Sequence, residues 1–195
     1  MRWSLVLISA LTLFPGCAKK AADSSNALGQ QNQSALKGAP DWVMTTCKSW
    51  EGYKKKANPI CAAGAVDGVS NIAMARDAAA NRARVDISRQ IETRVASMIK
   101  DYQSTAAAGV PLTDAMSDEQ YITNVSKSIS QASVSGAEIK EMWASDTGTI
   151  WVLVGVEFEK FADVVNQMNE MSQEMREHLR ANAEREMADL DANTQ

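Results

Sequence analysis

A chain of 195 residues with a formal charge of −4 and a pI near 5.1 lacks the basic surface that would hold a phosphate backbone, which argues against a nucleic-acid partner. Its length suits one domain with extensions. A single histidine and three cysteines leave too few donors for an ordinary metal cage or a histidine-based triad, so neither a metal cofactor nor enzymatic activity is expected.

The chain opens with Met1-Arg2-Trp3, an apolar run from Leu5 to Phe14, and then Pro15-Gly16-Cys17. A short basic start, a hydrophobic stretch and a small residue describe a signal peptide over residues 1–16. The stretch is too short to span a bilayer, which takes roughly 20 apolar residues. Cys17, directly after Gly16, can accept a diacylglycerol on its thiolate and a further acyl chain such as palmitate on its freed amine. The result would be a lipid anchor, with the membrane as a partner through the acyl chains on Cys17. Phe14 and Pro15 stand where the lipoprotein box usually has Leu and a small residue, with Leu13 one step early. An ordinary secretory cleavage that leaves Cys17 as a spare thiol is therefore the alternative. Residue 18 is Ala and not the Asp that resembles a plasma-membrane retention signal, which points to the outer membrane; the domain is expected on its periplasm-facing side.

Residues 17–39 read as a flexible tether. From Ala18 to Gly38 there is no aromatic or β-branched residue, so too little apolar surface exists to offset the cost of ordering. Such a coil reaches roughly 25 Å. A short helix from Leu28 to Leu36 is the competing reading.

The folded domain is expected over residues 40–158, beginning at Pro40-Asp41-Trp42-Val43. With Cys17 acylated, Cys47 and Cys61 remain as an even pair in a compartment that permits disulfides. A bond closing that loop would contribute roughly 3 kcal/mol; two reduced, buried thiols are the alternative. Lys54-Lys55-Lys56 between them reads as a solvated loop or as a contact for an anionic surface.

Ile60 to Val66 is apolar, built from small residues, and ends at the turn dipeptide Asp67-Gly68, which predicts a strand. Ser70 or Asn71 can cap a helix starting directly after the turn. From Ile72 to Tyr102, apolar residues recur at spacings of three and four, the signature of a long amphipathic helix whose alanines allow close approach to a sheet. Arg82 and Asp86 are four apart on its polar face and can pair. Ala106 to Pro111 should end this helix. A second is expected from near Ser117, with Ser117 and Gln120 at capping-box spacing, burying Ile122, Val125, Ile129 and Ala132.

Ile139 to Ala144, the turn Ser145-Asp146-Thr147-Gly148, and Thr149 to Phe158 predict a β-hairpin. Its second strand is apolar on both faces: Ile150, Val152, Val154, Val156 and Phe158 point one way, Trp151, Leu153 and Gly155 the other. One layer of helices covers one face. The other must meet the chain's own segment containing Trp42 and Trp50, or another subunit. From Glu159 to the end no proline or glycine occurs, and Phe161, Val165, Met168, Ser172, Met175, Leu179, Asn182, Glu186 and Met187 fall near a heptad seam. The region 159–195 is therefore predicted as one long amphipathic helix, marginal alone, that packs on a neighbour or stands as a solvated tail. Trp151, Leu153, Met168, Met175 and Leu179 are the interface candidates for a homo-oligomer. His178, on this helix, is expected at the surface.

Pro40-Asp41-Trp42-Val43, the Gly64 strand, Met74 to Arg84 with its alanine-arginine run, and Trp143 before Thr149-Ile150-Trp151-Val152-Leu153-Val154 together resemble the Lpp-twenty family of outer-membrane lipoproteins, over about residues 40–158. The resemblance implies an α+β fold: a small antiparallel sheet packed against a long helix in a dodecin-like β-α-β-β core, here with an extra second helix and a long C-terminal helix. It implies a non-enzymatic role in the cell envelope, with flagellar or other envelope proteins as partners, a flagellar motor disk being the most concrete version. Apart from it, Trp42, Trp50, Trp143 and Trp151 suit either packing or an apolar pocket, which leaves a binding module for a lipid, an aromatic ligand or cell-wall polymer as the alternative.

Overall fold

The computed structural model describes residues 35–50, 59–106 and 119–192, without the side chains of residue 184 and residues 186–192. Within these residues the fold is α+β: a three-stranded antiparallel sheet with a long helix across one face. The strands are β1 (Ile60–Val66), β2 (Glu138–Ala144) and β3 (Ile150–Val156), in the order β1-β3-β2. A short helix α1 (Trp42–Thr45) runs into a 3-10 turn (Thr46–Ser49) ahead of β1, and α2 (Ile72–Ala106) and α3 (Glu119–Ser135) lie between β1 and β2.

Side-chain size sets the distance between β1 and α2. Ala75, Ala79 and Ala83 are buried in succession along one helical stripe, and Gly64 in β1 lies directly beneath them. Further along, Ile87, Ile91, Val95 and Ile99 replace the alanines, and the space between the layers fills with branched side chains. Asn71 caps the helix, its Oδ1 accepting from the backbone N–H groups of Ala73 and Met74 at 3.0 and 3.2 Å. The expected Arg82–Asp86 pair is not the one that forms. Arg82 instead donates to the Ala65 carbonyl, and Asp86 pairs with Arg89 at 3.4 Å, because Arg82 sits on the flank of α2 facing the edge of β1.

Helix α3 packs beside α2 through Ile122, Val125 and Ile129, with the buried serines Ser126, Ser130 and Ser133 between them. Ala132 is only half-buried; Ser130 and Ser133 take the inward positions expected of it. Ser130 donates to the Ser88 carbonyl at 2.9 Å, and the two hydroxyls lie 2.7 Å apart, so the small polar residues let the helices approach without orphaning either of these hydroxyls. Ser117 and Lys54-Lys55-Lys56 lie outside the described residues.

The hairpin forms, with Trp143 opposite Trp151 and an irregularity between Ile139 and Glu141, although its second strand ends at Val156 and Phe158 begins the next helix. Its turn closes through the Ser145 hydroxyl, which accepts from the Thr149 N–H at 3.0 Å, and through Gly148 at a φ of 86°. Both faces of β3 are covered by its own chain. Ile150, Val152, Val154 and Val156 meet the helices, while Leu153 faces a second cluster made with Trp42, Val43, Cys47 and Cys61. The segment before β1 is therefore the missing layer, and self-coverage accounts for the two-sided apolar strand. Leu36 and Ala39, ahead of Pro40, also pack on this cluster.

The single C-terminal helix is a correction. The segment divides into α4 (Phe158–Gln167) and α5 (Gln173–Ala192), with a break at Met168 to Ser172. No proline or glycine marks the break, because side chains make it. Ser172 accepts from the Met175 N–H at 3.2 Å as a cap, and Arg176 donates to the carbonyls of Met168 and Met171 at 3.0 and 2.8 Å. The Tyr121 hydroxyl donates to the Glu170 carbonyl at 2.8 Å and ties the break to α3; burial first and the Glu170 charge second push that phenol above its ordinary pKa.

Candidate functional site

The described residues that combine covalent chemistry, charge and aromatic surface lie on the face of the sheet away from α2. There residues 36–50 form a strap. Trp42, Val43 and Cys47 are buried against Leu153 and Cys61, with Leu36, Ala39, Trp50, Ala63, Trp143 and Trp151 packed around them. The strap can follow the sheet because Asp41 and Pro40 start a helical turn that Thr46 stops at a φ of 55°, redirecting the chain so that Cys47 faces β1. Cys47 and Cys61 meet there as a disulfide, their Cα atoms 5.5 Å apart and both residues buried.

A charged group closes the other end of the strap. The Trp50 indole N–H donates to Glu141 Oε1 at 3.2 Å, and Lys140 Nζ lies 6.0 Å from the centre of the Trp50 ring. The Lys140 side chain is only 6% exposed, and its ammonium is held between Glu138 at 3.0 Å and Glu157 at 3.4 Å, so its charge is compensated where water is largely excluded. Gly155 makes room for both features. A Cβ at Gly155 would come 3.1 Å from Cys61 Sγ and 3.3 Å from Lys140 Cγ. Nothing in the sequence patterning singles out Lys140. Gly155, interrupting a strand of otherwise large apolar residues, is the one sign of a close approach that the sequence carries.

Two interface candidates keep accessible surface. Trp151 and Met168 are half-buried, and the buried Trp151 indole N–H has no hydrogen-bond partner among the described residues. The other three are corrections. Leu153, Met175 and Leu179 are each 0% exposed, Leu153 beneath the strap and the two α5 residues against the α2–α3 core, so the chain has spent them on its own interior. Cys17, the lipidation candidate, lies outside the described residues.

A second polar group sits where α5 crosses the end of α2. His178 stacks edge-on against Tyr102 with ring centres 5.2 Å apart, lies 3.8 Å from Asp101 Oδ2, and contacts the Asn182 amide. It is a half-buried packing residue, 25% exposed at its side chain, where the sequence suggests an exposed one. Among the described residues no three His, Cys, Asp or Glu side chains come together as a metal-ligand set, and no helix is long and apolar enough to cross a membrane.

No known protein family matches the chain, and no curated protein matches it. The resemblance to the Lpp-twenty lipoproteins therefore rests on the residue pattern alone.

Proposed function

We propose that the protein is a non-enzymatic component of a bacterial cell envelope, exported, acylated on Cys17 and held by its lipid to the periplasmic side of the outer membrane. The observation that carries this reading is the order of parts in the chain: a short apolar leader, Gly16-Cys17, a polar stretch with little to pack, and then an α+β domain. An anchor of two or three acyl chains gathers copies on one surface, where weak contacts between domains suffice to build an assembly. Association in this reading uses the surface around Trp151 and Met168, which the described residues cover only in part. The Lpp-twenty resemblance makes a flagellar motor disk the most concrete assembly, by analogy alone.

Metabolic labelling of the native host with a fatty-acid probe tests the anchor. The protein should take up label, and Cys17→Ala should lose both the label and the membrane fraction. Unlabelled protein with its leader removed would instead fit plain secretion. Deletion of the gene followed by a motility assay and imaging of the motor tests the disk version, which unchanged swimming with an intact disk would remove.

A further inference from the structure

We infer that the Cys47–Cys61 disulfide is a redox-sensitive lock on the strap, and that breaking it releases residues 36–50 from the sheet while the helix-covered core stays folded. The buried side chains fall into two clusters. One joins α2, α3, α4 and α5 to the inner face of the sheet; the other contains only strap residues and the outer face, with Leu153 and Cys61 as its sheet members. The sheet separates them, so the outer cluster can open without disturbing the inner one.

Among the described residues, few contacts besides the disulfide tie the strap to the sheet. Its backbone hydrogen bonds are local: Ala39 to Leu36, Val43 to Pro40, Met44 and Thr45 to Asp41, and Trp50 to Cys47. It adds no strand to the sheet. Across the gap run the apolar contacts of Trp42 and Val43, the Trp50–Glu141 hydrogen bond, the Lys140 contact with the Trp50 ring, and the disulfide. Lys140 keeps both its carboxylate partners without the strap, so losing Trp50 strands no buried charge. Among the described residues the disulfide is the one covalent cross-link between strap and sheet, and it keeps Cys47 beside Cys61 when the weaker contacts fluctuate.

The opening reaction uses a dithiol reductant. One thiolate attacks a sulfur of the Cys47–Cys61 bond and forms a mixed disulfide; the reductant's second thiol then displaces that cysteine. Cys47 and Cys61 each finish with one electron and one proton more, and the reductant ends as its own disulfide. The surface uncovered is apolar, made of Leu153, Ala63, Trp143 and Trp151.

The full chain carrying Cys17→Ala, so that no third thiol can exchange, is compared oxidised and after dithiothreitol by hydrogen exchange, with intact mass reporting the gain of two hydrogens. Reduction should speed exchange at the Val43, Met44, Thr45 and Trp50 amides by roughly 100-fold, the factor associated with a loop-closing bond over a separation of 14 residues. Amides in α2 from Ala79 to Ile99 and in β3 should keep their protection. An apolar dye should bind the reduced form. Adding Cys47→Ser and Cys61→Ser supplies the unlocked state should the buried bond resist reduction. Strap amides that stay protected in the unlocked protein would show that the bond is no lock. Simultaneous loss of protection in α2 and β3 would show that strap and core are one unit; either result overturns the inference.

Discussion

Gly64 of β1 lies so close beneath Ala79 of α2 that a Cβ built on the glycine would sit 2.0 Å from the Ala79 carbonyl oxygen and 2.8 Å from the Ala83 nitrogen. Both obstructing atoms are backbone, so no rotamer change can make room, and helix and strand would have to part. Gly64→Ala should therefore cost about 3 kcal/mol, the upper end for overpacking by one carbon. Urea denaturation checks this through the midpoint at unchanged slope. A midpoint within experimental error of the parent would mean that the helix does not lie this close to the strand.

Most of this fold is visible in the residues. The alanine stripe of α2 shows both the period of the helix and how near it must come to the sheet, and the two-sided apolarity of β3 requires a second covering layer. The sequence does not say which layer it is, because Trp42 and Trp50 carry no periodicity and the second face of β3 could as well meet another subunit. The break between α4 and α5 stayed hidden for a different reason. A stop made by Ser172 and Arg176 depends on which carbonyls a guanidinium reaches in three dimensions, and neither residue is a helix breaker by type. Lys140 illustrates the same limit at the candidate site: its carboxylate partners are Glu138, two residues before it, and Glu157 beyond the end of β3, a grouping that only the hairpin creates.

Leu179 distinguishes core from interface. It is fully buried within a single chain, so Leu179→Ala should remove packing worth about 3 kcal/mol. Sedimentation should meanwhile give the same association state as the parent under folding conditions. A variant of parental stability that dissociates a complex would return Leu179 to the subunit boundary.

Ser172→Ala removes the hydroxyl that caps Met175 and should destabilise the start of α5 by about 1 kcal/mol. The backbone N–H of Glu174 itself and, to a lesser extent, the same Ser172 hydroxyl hold the Glu174 carboxyl below its ordinary pKa. Because the folded-state value is the lower one, the stabilisation is complete above the ordinary carboxylate range and is lost as pH falls through the lowered value. Removing Ser172 takes away one of the causes that lower it, the Glu174 N–H and the Arg176 charge remaining, so the variant should lose less stability on acidification than the parent. Thermal unfolding of both proteins from neutral to acidic pH measures this, and parallel curves would contradict it.

Thr46 occupies φ 55° and ψ −129°, a backbone region that suits glycine and crowds a β-branched side chain. The strap needs this conformation to turn from α1 towards Cys61, so the strain belongs to the covered state of the sheet. Thr46→Gly relieves it at the cost of a more flexible released strap, and the balance should favour the docked form by about 1 kcal/mol. The Trp50 amide, bonded to the Cys47 carbonyl at 3.0 Å, is a direct reporter. In the oxidised protein its exchange should slow several-fold in the variant. Faster exchange there would mean that the freedom gained by the loosened chain outweighs the strain removed from the turn.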